Sequence, residues 1–227
     1  MSSVPIRISR EHPSRAIHVS HRGADLVLRP IGIADTEILV DAIRSSLPEL
    51  KPWMPWAHYP VTVESQLAVN RSFEAKYFAA QDMVMGLFDG GALLAMIGLH
   101  PRVPLNPRAL EVGYWTPSAV AGRGFATLGA RVATLYAFDR LGCDRVQVMH
   151  DEANAASRRV IEKCGFALEG RLRAFAAAPS DEAVAGGFRH SGVHLMWALF
   201  PDTFEALPWV DELRAATRYE DVLGRPA

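Results

Sequence analysis

Strand-forming runs interleaved with amphipathic helical segments predict a mixed α/β fold, a twisted central sheet with helices on both faces. Three observations carry that prediction. Residues 83–88 and 92–100 are apolar runs joined by Asp89-Gly90-Gly91, a hairpin signal. Residues 145–149, 153–164 and 166–173 read as strand, helix and strand, the pattern of a crossover unit. The chain has 227 residues, 49% hydrophobic and 22% charged, which is enough to bury one large core without disulfide or metal staples.

Each element follows from local signals. The first 23 residues are polar, carry Pro5 and Pro13, and read as an extension with at most one short strand. Residues 25–29 alternate and end at Pro30, as a strand entering a turn does. Asp35 is placed to cap a helix with Leu39, Ala42 and Ile43 in one stripe. Residues 51–60 form a loop rich in Pro and aromatic side chains. Thr62 caps a second helix with Val69, Phe73 and Tyr77 on one face.

After the hairpin, 110–116 is a further strand. Gly122-Arg123-Gly124 then opens a helix over 125–140, with Leu128, Val132, Leu135 and Phe138 in its stripe and Leu141-Gly142 as its stop. Gly165 ends the helix over 153–164. Residues 188–199 are the last strand, and the tail from Pro201 holds one short helix. The division predicted is an extension over 1–23, a domain over 24–200 and a tail over 201–227.

Composition excludes several classes. The chain has 24 Lys and Arg against 25 Asp and Glu, a net charge of −1, so nothing electrostatic draws it to nucleic acid or an anionic membrane. Two cysteines, Cys143 and Cys164, are too few for a disulfide framework or a four-cysteine zinc site. No secretory leader pattern is visible, and the longest apolar run is too short to cross a bilayer. A cytoplasmic protein is expected.

The chemistry concentrates between 110 and 173. A strand followed by Gly122-Arg123-Gly124 and a helix brings backbone N–H groups and a helix N-terminus to one spot, where a phosphate or pyrophosphate fits. A tight turn with no ligand fits the same residues. A dinucleotide-binding turn needs a third glycine where Thr127 stands, although Asp151 does follow the next strand. On the following helix Ser157, Val160, Ile161 and Cys164 form the inward stripe. Asn154 either caps that helix or meets a ligand, and Ser157 either bonds back to a carbonyl or does the same. Arg158 and Glu162 make a solvated i, i+4 pair.

Read together, Leu110-Glu111-Val112-Gly113-Tyr114-Trp115, Gly122-Arg123-Gly124-Phe125-Ala126-Thr127, Asn154-x-x-Ser157-x-x-Val160-x-Glu162-Lys163-Cys164-Gly165-Phe166 and Glu169-Gly170-Arg171-Leu172-Arg173 resemble the GNAT superfamily. Trp53-Met54-Pro55-Trp56 and Leu28-Arg29-Pro30 narrow the resemblance to RimJ/RimL-type N-acetyltransferases, over about 25–199. The resemblance implies a sheet splayed between its fourth and fifth strands, with acetyl-CoA as cosubstrate in the gap. It assigns the pyrophosphate to the loop of Ala121, Gly122, Arg123, Gly124, Phe125, Ala126 and Thr127. The pantetheine arm falls to Trp115, Thr116 and Asn154, with Ser157 beside them. Ala121 stands where the family usually has Gln or Arg. Ile161 stands where many members carry a general-acid Tyr, so Ser157 takes that role. Trp53, Trp56 and Tyr59 wall the acceptor site.

Glu111 is the candidate base, because a carboxylate amid Leu110, Val112 and Tyr114 needs explaining; a salt bridge to Arg108 or another Arg explains it equally well. His150 ends a strand beside the thioester position and is either a proton relay or only a strand-end histidine. His190 and His194, four apart on one strand, read as a polar sheet face, and no metal is expected. The function implied is transfer of an acetyl group to a primary amine in a ternary complex, with a protein N-terminus as acceptor. A small-molecule amine or antibiotic as acceptor, or a non-catalytic acyl-CoA sensor, are the alternatives. A homodimer contact is natural at either end of the chain.

Overall fold

The computed structural model describes residues 13–176 and 179–227; residues 1–12, with most of the predicted extension, lie outside them. The chain begins with β1 (Ala16–His21), β2 (Ala24–Pro30), α1 (Thr36–Leu50) and α2 (Val63–Phe78). The meander β3 (Met83–Asp89), β4 (Ala92–His100) and β5 (Ala109–Trp115) follows. Next come α3 (Phe125–Asp139), β6 (Arg145–Asp151), α4 (Ala155–Cys164) and β7 (Ala167–Leu172). The chain ends with α5 (Asp181–Ala185), β8 (His194–Leu199), α6 (Pro201–Glu205), α7 (Val210–Ala215) and β9 (Thr217–Glu220).

All nine strands form one sheet, in the order β7-β8-β6-β5-β4-β3-β2-β1-β9. Every neighbouring pair is antiparallel except β5 and β6. Strand alternation sends Ile97 to one face, where a Cβ on Gly129 of α3 would touch it, and Met96 to the other, where it packs with Leu39 of α1 and Trp115. So α3 covers one face of the central strands and α1 with α2 the other.

Four local expectations change in the fold. Residues 16–21 sit inside the sheet between β2 and β9, so extension and tail close its far edge together. The tail holds two short helices and β9, where one helix is predicted. The last strand starts at His194, because its ladder to β6 ends at Asp151 opposite His194, and residues 188–193 have no strand partner. On α2, Gln66, Asn70 and Tyr77 are buried while Val69 is exposed. Asn70 Nδ2 donates to the Gly32 carbonyl and Thr36 Oγ1, joining α2 to the start of α1. No helix among the described residues is long and apolar enough to cross a membrane.

Candidate active site

The β5–β6 ladder covers only Ala109, Leu110 and Glu111 against Arg145, Val146 and Gln147. Both strands run on, β5 to Trp115 and β6 to Asp151, so beyond Glu111 they part into a V. From Val112 to Trp115 one edge of β5 is bonded to β4 and the other faces the gap. A strand edge facing a gap presents unpaired backbone N–H and C=O groups.

At the open end of β5 the chain turns through exposed residues 121–124 into α3. Gly122 and Gly124 have φ of +76° and +92°, conformations that strain any side-chain-bearing residue, and no atom crowds either position. No side chain caps α3. Its first-turn N–H groups, on Phe125, Ala126 and Thr127, therefore lack the usual capping oxygen and favour an anion. The Arg123 guanidinium lies 5.3 Å from the centre of the Phe125 ring.

The opposite wall is α4. Asn154 Oδ1 accepts from the Ser157 backbone N–H at 3.0 Å, so the cap is real. Nδ2 of the same side chain makes no hydrogen bond among the described residues and remains available to a ligand. Ser157 Oγ lies 3.0 Å from the Tyr114 hydroxyl, which also donates to the Ser157 carbonyl at 3.1 Å. Burial pushes the Tyr114 phenol well above its ordinary pKa, outweighing the Ser157 hydrogen bond, so it stays protonated. Arg158 and Glu162 form the predicted exposed pair at 2.8 Å.

On the α1–α2 side a cavity of about 680 Å³ runs over β4 and β5, with Trp56, Tyr59 and Trp115 on its wall. A smaller cavity of about 200 Å³, lined by Trp53, Glu111, Ser157 and His194, occupies the V. Met54, Arg102, Gly113 and Tyr114 border both, which makes them one continuous groove. All three aromatic residues predicted for the acceptor wall stand on it. Trp56 and Trp115 pack with ring centres 6.0 Å apart.

Glu111 is buried on the groove floor. Arg102 Nη1 donates to it at 3.0 Å and Gln147 Nε2 at 3.1 Å. Its ion-pair partner is thus Arg102, while Arg108 pairs with Asp144. Directly across the ladder from Glu111 stands His100, which sequence analysis passed over. Its Nδ1 lies 2.6 Å from Asp82 Oδ1. The ring lies over Gly98, where a Cβ would come within 2.1 Å of Nε2. No local sequence signal marks this pair, because Asp82 and His100 meet only across the β3–β4 hairpin.

The histidines at the far side of the V differ from expectation. His150 donates from Nδ1 to the Asp151 carbonyl at 2.7 Å, and its Nε2 accepts from Trp197 Nε1 at 3.1 Å. Burial holds His150 below its ordinary pKa, and with both nitrogens engaged it has no lone pair for a relay. His190 precedes β8 and donates from Nε2 to the Trp53 carbonyl at 2.9 Å. The two histidines are not without an acidic neighbour: Asp151, 1% exposed, lies 3.6 Å from His190 Nδ1. Burial holds His194 below its ordinary pKa.

A mixed sheet parted at its one parallel pair, with a glycine turn and a bare helix N-terminus at the mouth of the gap, is the architecture of an N-acetyltransferase. The chain belongs to the GNAT family: residues 25–167 match the model of the acetyltransferase (GNAT) domain. YdaF of Bacillus subtilis (strain 168), provisionally named a ribosomal N-acetyltransferase, is 30% identical over 170 residues, 74% of this chain and 88% of that one. Among solved structures, RimJ of Mycobacterium smegmatis in complex with CoA-disulfide superposes with a TM-score of 0.71 at 21% identity, covering 90% of this chain and 97% of that one. RimL, a ribosomal L7/L12 alpha-N-protein acetyltransferase in complex with coenzyme A, gives 0.70 at 17% identity, covering 82% and 99%.

Proposed function

We propose that this protein moves the acetyl group of acetyl-CoA to a primary amine, most naturally the α-amine of a protein N-terminus, by direct attack in the groove. The observation that carries the proposal is the open edge of β5 facing the V, with the uncapped start of α3 at its mouth. The likeness to structures that hold CoA supports it.

Backbone groups of Trp115 and Thr116 pair with the pantetheine arm as an added strand would. Asn154 Nδ2 meets it from the α4 side. The N–H groups over 122–127 hold the pyrophosphate; Ala121 contributes backbone alone, and Arg123 a charge. A backbone N–H in the 114–116 stretch faces the developing oxyanion. Ser157 Oγ gives a proton to the leaving sulfur as the C–S bond breaks and takes in return the extra proton of the newly bonded nitrogen, with the Tyr114 hydroxyl keeping it aimed.

The acceptor amine must lose a proton before attack. An α-amine titrates near ~7.7–8.0 and a Lys amine near ~10.4, so the former gives up its proton to a carboxylate far more readily. Glu111 is the acceptor of that proton: two of its roughly four lone-pair sites are used by Arg102 and Gln147, and the rest face the groove. A second reading assigns the proton to His100. Donation from its Nδ1 to Asp82 leaves an Nε2 lone pair on the groove floor.

The test is calorimetric titration with acetyl-CoA and CoA, then thiol release over a panel of N-terminal peptides and small amines. Binding with peptide-dependent release is the expected result. Release with small amines alone replaces the acceptor by a metabolite or antibiotic. Binding with no release on any amine favours a sensor.

A further inference from the structure

We propose that Asp151, His190 and His194 form a binding site for a borderline divalent transition-metal cation, of which Zn2+ is the type. One ligand atom from each of the three lies within 4.8 Å of those of the other two. Bonds of roughly 2.0–2.2 Å set the ligand atoms of a tetrahedral site about 3.4 Å apart. The 3.6 Å between His190 Nδ1 and Asp151 Oδ2 is close to that distance, and the His194 ligand atom lies within 4.8 Å of both of the others.

The hydrogen bonds around the three residues leave one ring nitrogen of each histidine unused. Because His190 donates from Nε2 to the Trp53 carbonyl, the lone pair of its neutral form sits on Nδ1, aimed at a carboxylate. A lone pair facing a carboxylate at that distance repels it unless a cation or a proton stands between them. Nδ1 of His190 and Nδ1 of His194 are both buried without a hydrogen-bond partner. Asp151 is oriented by the Ala153 N–H on Oδ1, by the Ser191 N–H on Oδ2 and by Ser191 Oγ, whose single proton serves Oδ1 at 2.9 Å or Oδ2 at 3.1 Å; with it on Oδ1, Oδ2 keeps a second acceptor site. A metal-bound histidine characteristically donates its other ring N–H to a carbonyl, as His190 does to Trp53, and an oriented carboxylate completes the pattern. Two imidazoles and one carboxylate suit Zn2+ or Co2+ over Mg2+ or Ca2+.

The cation ties the segment before β8 to the end of β6. That segment also holds residues 52 and 53, through the Arg189 N–H to the Pro52 carbonyl at 3.0 Å and through His190 to Trp53. The site therefore pins a wall of the acceptor groove to the cofactor-side strand, independently of which amine is acetylated.

The test uses the untagged full chain, stripped with a chelator and titrated by calorimetry with Zn2+ and Co2+, with Mg2+ as the hard-cation control. The expected result is one equivalent of Zn2+, bound at least about 100-fold more tightly than Mg2+. Visible Co2+ bands of low-symmetry coordination and a melting temperature that rises with metal concentration accompany it. The double variant His190→Gln/His194→Gln loses the site; His18→Gln, at the far edge of the sheet, keeps it. Should the double variant fail to fold, ring-nitrogen NMR of the wild-type chain decides: Zn2+ must move the His190 and His194 resonances. Absence of stoichiometric binding, or binding that moves only other histidines, overturns the proposal, and a proton between His190 and Asp151 is then the whole explanation.

Discussion

The Tyr114 hydroxyl and Ser157 Oγ stand 3.0 Å apart and bridge the two walls of the V, one from β5 and the other from α4. The phenol reaches both the Ser157 carbonyl and Ser157 Oγ; with its proton on the carbonyl, its oxygen accepts from the serine hydroxyl, which can also turn to a stronger acceptor. A leaving thiolate is such an acceptor. In the proposed mechanism Ser157 is thereby held beside the leaving sulfur by a residue that carries no charge at working pH.

Ser157→Ala is expected to lower acceptor-dependent thiol release by about 10²-fold or more while leaving acetyl-CoA affinity within a few-fold. Tyr114→Phe removes one neutral hydrogen bond and should cost nearer 5-fold. Steady-state release rates beside calorimetric affinities check both. Loss of binding in parallel with rate would make Ser157 a binding residue only.

Glu111→Gln keeps an oxygen for Gln147 but removes the carboxylate. Turnover should fall by about 10²-fold, while His100→Asn moves it little. If His100→Asn carries the loss instead, the amine's proton goes to His100 and Glu111 is the partner of Arg102.

Gly124→Ala places a side chain at φ +92° where the space is open but the backbone is strained, at a cost of about 1–2 kcal/mol. A lower melting temperature and a CoA dissociation constant raised by about 10-fold are expected. Pantetheine, which lacks the pyrophosphate, should bind both proteins alike. Equal loss for CoA and pantetheine would separate this turn from the phosphates.

Asp35 couples the fold to acid pH. Burial raises its pKa, but the Arg29 guanidinium at 2.7 and 2.9 Å and the Gly32 N–H outweigh it, and the net shift is downward. A folded pKa below the unfolded one stabilises above the unfolded value near ~3.9, and that contribution is lost as pH falls towards the folded value. Asp35→Asn should cost about 1–3 kcal/mol at pH 7 and progressively less below pH ~3.9. Urea unfolding of both proteins across that range measures it.

Burial pushes the Cys143 and Cys164 thiols up to about 12. Neither should react with an alkylating reagent at pH 8 until the chain unfolds, whereupon both label. Mass spectrometry with and without denaturant reads the difference.

Much of the fold was legible because its signals are local. The Asp89-Gly90-Gly91 turn lies between β3 and β4, Thr62 accepts from the Ser65 N–H at the start of α2, and Gly165 closes α4 at φ +86°. Motif order along 110–173 located the glycine turn before α3 and Asn154 and Ser157 at the start of α4, in two successive strand–helix–strand units. The start of β8 was misplaced because strand propensity does not register where a partner ends, and β6 ends at Asp151.

Sequence alone determined the family and the α/β class, since each rests on neighbours within a turn or a motif, and it proposed residues for the V. Tertiary structure decided what those residues touch. Arg102 rather than Arg108 meets Glu111, although both stand within nine positions of it, because the chain after β4 folds Arg102 back over the groove. Asp82 meets His100 through hairpin register, and Asp151 meets His190 across 39 positions because β6 and β8 are paired. Electrostatic partners depend on distance in space, which sheet order sets and sequence separation does not.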